Sequence, residues 1–100
     1  MKNLFSDEVR LYTPCRISEC YFEAENEIEI SSASGSIRIK GIGKSIWKML
    51  DGKHTVKSIA RHLCNELSLI DEIQMQNEVI AILTMLEKKK AIVMNWDPLY

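Results

Sequence analysis

Two pairs of residues invite a chemical reading: Cys15 with Cys20, and His62 with Cys64. Structural zinc sites use cysteine and histidine knuckles with short, matched spacings such as CxxC. Neither pair has that spacing, so no metal site is expected, and the cysteines read as small buried hydrophobes. A cysteine nucleophile needs a base beside it and donors for an oxyanion. Nothing in the sequence marks His54 or His62 as that base. The glycines of Gly41-Ile42-Gly43 precede Lys44 and Ser45, but without the spacing of a phosphate-binding loop. No catalytic residue, cofactor or metal is therefore expected.

The stretch SIWKMLDGKHTVKSIARHL (45–63) reads as helix, tight break, helix, an arrangement common in DNA-binding proteins. The helix that would enter the major groove opens DEIQMQNEVIAIL (71–83). Asp71, Glu72 and Glu78 stand where DNA demands cations, and no Lys or Arg accompanies them. Gln74, Gln76 and Asn77 could read bases, but Lys88–Lys90 sit at the wrong end to hold the backbone. A winged-helix regulator is the alternative reading, and nucleic acid is not the expected partner.

The elements must come from a chain of 100 residues, enough for one domain with its own core. The net charge of −1 gives no general attraction to polyanions. No apolar run has membrane-span length, and the N-terminus has no secretory h-region. Three cysteines do not make a disulfide framework, which points to reduced thiols in the cytoplasm. Residues 1–35 carry three basic and seven acidic groups, and the remainder ten and seven. The domain thus has an acidic front and a mildly basic back.

Residues 1–8 are expected to form a loose arm, with EVRLY (8–12) a short extended segment broken by Pro14. EIEIS (27–31) and SIRIK (36–40) alternate with period two, separated by SASG. Pairing Ile30 with Ile37 puts Ile28 opposite Ile39, Glu29 opposite Arg38 and Glu27 opposite Lys40. Four isoleucines then face the core and two opposite-charge pairs face out; a one-residue slip would ruin both. CYFEA (20–24) can pair back through a three-residue AEN turn, which sets Phe22 against Ile28 and Cys20 against Ile30 on the core face.

After Lys40 the period becomes helical. A first helix over 41–50 is stopped by Asp51-Gly52, with Gly52 in the left-handed conformation. Thr55 caps a second helix over 56–67, with the stripe Val56, Ile59, Ala60, Leu63 and Leu67. Asp71 caps a third over about 72–89, and AIVMNW (91–96) is a short terminal strand. The fold class is α+β, winged helix-turn-helix-like: a three-stranded antiparallel sheet, a three-helix bundle and a short C-terminal strand.

The third helix is apolar on more than one face. Met75, Val79, Ile82 and Leu86 form the core stripe. Leu83, Gln76, Ile80 and Ile73 extend the arc to roughly 160°, against the ~100° typical of a surface helix. Either this helix is buried on two sides, or it lines a groove partly open in the free protein. Such a groove beside an exposed strand edge suits an extended peptide. The Ser36–Lys40 edge is guarded only by Arg38 and Lys40.

The run SIRIKGIGKSIWKMLDGKHTVKSIARHLCNEL, a spacer, and VIAILTMLEKKKAIV resembles the PqqD-like family. These are the recognition elements of pathways that modify ribosomally made peptides. The resemblance spans about Cys20–Val93. It rests on Leu50-Asp51-Gly52, Thr55-Val56, Ile59-Ala60, Leu83-Thr84-Met85-Leu86 and Ala91-Ile92-Val93. It departs from the family pattern at Lys40-Gly41, where Leu-Asn is frequent, and at Lys88–Ala91, where a glycine is usual. The resemblance implies a stand-alone module over 1–100, without catalysis, that binds the leader of a precursor peptide. The leader would add as a strand beside Ser36, Ile37, Arg38, Ile39 and Lys40, against a helix face of Ile73, Gln76, Ile80, Leu83 and Thr84. Arg38, Lys40 and Lys88 would pair with acidic leader residues. The implied second partner is a maturation enzyme such as a radical-SAM protein or a cyclodehydratase. A monomer or weak dimer is expected, with Trp96–Tyr100 as the contact if a dimer forms.

Overall fold

The structure is a computed structural model that describes residues 7–17, 20–32, 35–68 and 71–95. It is α+β. Strands β1 (Cys15–Arg16), β2 (Tyr21–Glu23), β3 (Glu27–Ser32) and β4 (Gly35–Lys40) precede three helices. These are α1 (Ile42–Lys48), α2 (Val56–Leu67) and α3 (Glu72–Lys88), and β5 (Ile92–Val93) closes the described chain. Strands β2-β3-β4 form one antiparallel sheet in that order, while β1 and β5 form a separate two-stranded ladder.

The β3–β4 register is the one the alternation predicts: Ile30 opposite Ile37, Ile28 opposite Ile39, Glu29 opposite Arg38 and Glu27 opposite Lys40. All four isoleucines are buried. They join Trp47, Leu50, Val56, Ile59, Leu63, Val79, Leu83 and Leu86 in one core.

The register of β2 differs from the expectation by one residue. Tyr21 lies opposite Ile30, Phe22 opposite Glu29 and Glu23 opposite Ile28. Ala24 N donates to Glu27 O at 2.9 Å, so the turn holds two residues, Glu25 and Asn26, rather than three. A shift of one exchanges the faces of the strand. Phe22 is consequently 72% exposed, and Cys20 is exposed rather than in the core. Tyr21 takes the inward position because a partner waits there. Its ring meets Trp47 edge-on at 5.6 Å, and the Arg16 guanidinium lies 5.8 Å from the Tyr21 ring and 5.9 Å from that of Trp47.

The N-terminal segment also differs. Residues 1–6, most of the expected arm, lie outside the described residues, as do Ala33-Ser34 of the hairpin turn and Trp96–Tyr100. Asp7–Leu11 form a turn of 3-10 helix instead of an extended segment. Arg10 reaches inward, and its Nη2 donates to Asn77 Oδ1 at 2.9 Å.

The two helix N-caps follow the sequence. Thr55 accepts from Ser58 N at 3.0 Å and Asp71 from Gln74 N at 2.9 Å. Helix α1 ends before the expected break: its C-cap is Met49, at φ −99°, and Gly52, although left-handed, lies three residues beyond it and does not cap the helix. Gly52, at φ 77°, donates its N–H to Pro14 O at 3.0 Å. Arg16 N donates to Leu50 O at 2.9 Å and Val56 N to Tyr12 O at 3.0 Å. The loop is therefore the dock for the segment 12–16, a role the local pattern did not show.

Candidate functional site

An edge strand can receive another chain only through backbone groups that point away from its neighbour. In an antiparallel sheet each residue turns both its N–H and its C=O to one side, and the next residue turns them to the other. Ala24 N bonds to Glu27 O and Ser31 N to Cys20 O, so Glu27, Glu29 and Ser31 face β2. Ile28, Ile30 and Ser32 face β4, where they meet Ile39, Ile37 and Gly35. Ser36, Arg38 and Lys40 thus direct their amides and carbonyls outward. Among the described residues, strand order leaves that side of β4 without a strand neighbour.

The side chains of the same three residues lie on the exposed face of the sheet. Arg38 Nε donates to Glu29 Oε2 at 3.3 Å, with the Arg38 side chain 69% exposed. Lys40 stands opposite Glu27 but makes no ion pair among the described residues. Ile37 and Ile39 point the other way, into the core.

The start of α1 is pressed against this strand. Gly41, at φ 62°, turns the chain from β4 into the helix in a conformation that L side chains rarely adopt. Gly43 lies against the Ile39 side chain, which occupies the space a Cβ would need. Further along α1, Lys44 and Lys48 both pair with Glu23, and Lys44 Nζ also donates to the carbonyls of Ala24 and Glu25. The Lys48 hydrogen bond leads in holding the Glu23 carboxyl below the ordinary carboxylate range. The β2–β3 turn is tied to α1 by these contacts.

The residues of α3 are placed differently from the strand residues. Gln76 is 2% exposed, Ile80 1% and Leu83 0%. Ile73 and Thr84 are half-buried and Lys88 is exposed. Thr84 Oγ1 donates back to Ile80 O at 2.8 Å. The groove anticipated along this helix is closed at Gln76, Ile80 and Leu83. The reason is packing: α2 lies along α3, and α1 and β5 also pack on it. The wide apolar arc is what a helix with several neighbours requires. Gln76 is nevertheless imperfectly served. Its Nε2 reaches Glu72 Oε1 at 3.5 Å, while its buried Oε1 has no donor among the described residues.

The residues that raised metal or nucleophile chemistry are scattered. No group of three or more His, Cys, Asp or Glu that could hold a metal occurs among the described residues. Burial, followed by the charges of Glu72 and Asp71, raises the pKa of the Cys64 thiol. That environment disfavours the thiolate. His54 is engaged by Asp51, whose Oδ2 lies 2.9 Å from Nδ1, and His62 lies 3.5 Å from Glu66 one turn on. No described helix is long and apolar enough to cross a membrane.

No curated protein and no solved structure matches the chain. A family model does: Coenzyme PQQ synthesis protein D (PqqD), over residues 30–92. The match runs from within β3 to β5 and takes in the β4 edge, the Asp51-Gly52 dock and all three helices. It covers more than half of the chain, which therefore belongs to the PqqD family.

Proposed function

We propose that the chain is a non-catalytic module that binds the leader of a ribosomal precursor peptide by strand addition and presents it to a maturation enzyme. Membership of the PqqD family supports a peptide-binding role in the maturation of ribosomally made peptides. The observation that supports the binding mode is the outward row of Ser36, Arg38 and Lys40 amides and carbonyls on an edge with no strand neighbour among the described residues. Main-chain hydrogen bonds supply affinity in strand addition, and alternate side-chain pockets supply selectivity. Ile37 and Ile39 set the apolar side of the ladder. Ile73, Thr84 and Lys88 form the accessible part of the helix contribution. Gln76, Ile80 and Leu83 take part to the extent that the bound segment uncovers them, and the Gln76 Oε1 then gains a donor. The enzyme that receives the peptide is of the radical-SAM or cyclodehydratase kind. The acidic opening of α3 speaks against duplex DNA as the ligand.

Titration of the isotope-labelled protein with the precursor encoded beside it tests this reading. Amide shifts are expected at Ser36, Arg38 and Lys40. Shifts confined to the opposite edge, Tyr21–Glu23, or no binding at all, overturn it.

A further inference from the structure

The open edge also carries a charge code. On the exposed face, β3 presents Glu27 and Glu29, and β4 presents Lys40 and Arg38 directly opposite them. Charge alternates strand by strand, so the next strand meets cations. A segment added to β4 sets two of its residues, spaced two apart, opposite Arg38 and Lys40 on the same face. The residue between them lies opposite Ile39 and points to the helix side of the sheet. We infer that the bound peptide carries an acidic–apolar–acidic triplet whose two carboxylates pair with Arg38 and Lys40. This rests on the strand-addition reading above.

Arg38 already pairs with Glu29 at 3.3 Å, but its side chain is 69% exposed and can share a carboxylate of the added strand, and Glu27 and Glu29 themselves stand farther off. They lie two strand spacings from the added chain, roughly 10 Å, close to the screening length at about 0.1 M salt. The cations of β4 lie one spacing away, and Lys40 is not engaged by Glu27. A second copy of this chain is disfavoured as the occupant. Antiparallel β4–β4 pairing with full overlap of residues 36–40 places Arg38 against Arg38, and of the two neighbouring registers one places it against Lys40 and the other against Ser36. Like charges directly opposite destabilise a ladder.

The test is selection of a displayed, randomised heptapeptide library on the full chain at about 0.1 M salt, followed by amide mapping of the winners. Enrichment of acidic–apolar–acidic sequences that shift Ser36, Arg38 and Lys40 supports the inference. Winners that map to this edge without the acidic pair overturn it and leave strand addition standing. Winners that map elsewhere remove both. Arg38→Gln with Lys40→Gln, two exposed changes whose folding is checked by circular dichroism, should weaken a selected peptide about fivefold. Arg38→Glu with Lys40→Glu should shift the selection to basic pairs. An unchanged affinity in the first variant, or an unchanged consensus in the second, also overturns the charge code.

Discussion

Gly43 and Ile39 share one space: the isoleucine side chain occupies the volume that any β-carbon at position 43 would claim. This contact fixes how closely α1 approaches the edge strand. Ile39 is buried and branched, so it cannot swing aside without disturbing the core.

Gly43→Ala is therefore expected to destabilise the protein. Overpacking costs about 1–3 kcal/mol, more than the ~1 kcal/mol that alanine gains over glycine in a helix interior. Urea denaturation should show a lower midpoint. Combined with Ile39→Ala the two losses should be less than additive, because the second change empties the contested space.

Gln76→Leu should have opposite effects on stability and on binding. The free protein gains about 1 kcal/mol, because a buried carbonyl oxygen without a donor disappears and only a long 3.5 Å contact to Glu72 is lost. If a bound leader satisfies that oxygen, the same variant binds it more weakly. A thermal melt and a precursor titration on one preparation measure both signs. A variant that is less stable than the parent would show that the Glu72 contact dominates.

Asp51 predicts an acid-dependent contribution to stability. Its partial burial works against ionisation. The amides of Lys53 and His54 and the His54 ring outweigh it, which brings the carboxyl from the ordinary 3.8 down to about 2. A carboxylate depressed on folding stabilises fully above its unfolded pKa, and that gain is lost as pH falls through the folded value. Asp51→Asn should therefore be less stable than the parent at neutral pH. The two denaturation midpoints should converge between about pH 4 and about pH 2. The side chain is more than a third exposed, so solvent screening keeps the difference modest.

The three free thiols should react in order of access. Cys20 is exposed, Cys15 intermediate and Cys64 buried, and the Cys64 thiol is also held protonated. An aromatic disulfide reagent at neutral pH should label Cys20 first and Cys15 more slowly. Cys64 should react only with denaturant present. Rapid native labelling of Cys64 would contradict its place on the buried side of α2 against the start of α3, where its Sγ lies 3.9 Å from Asp71 O.

The hairpin of β3 and β4 was legible because two independent patterns, isoleucines and charges, demanded one register. Only one pattern was present in Cys20–Ala24, and it was ambiguous. Tyr21 and Phe22 are adjacent, so either could face inward. The choice fell to Trp47 and Arg16, which are distant in sequence. The same holds for Arg10 and Asn77, a buried polar pair that no local period announces. The N-caps of α2 and α3 were legible because they are local, whereas the end of α1 falls at Met49, ahead of the Asp51-Gly52 signal. The width of the apolar arc on α3 was also legible, but its cause was not. Periodicity reports that a face is apolar, while the arrangement of α1, α2 and β5 decides whether a neighbour or a ligand covers it.

The ladder of β1 and β5 pairs Cys15 with Val93 and Arg16 with Ile92, which joins nearly the two ends of the described chain. This has a consequence for the order of events during synthesis. The β3–β4 hairpin and the helices need only nearby partners and can form as they emerge. Residues 12–16 can dock on the 50–56 loop once it has emerged, but the β1–β5 ladder must wait until the last strand has left the ribosome, because closing so long a loop precedes any reward from the contact. The pairing of residues 15–17 with 91–93 is thus completed late, and until then this segment of a nascent chain is held only by the 50–56 loop.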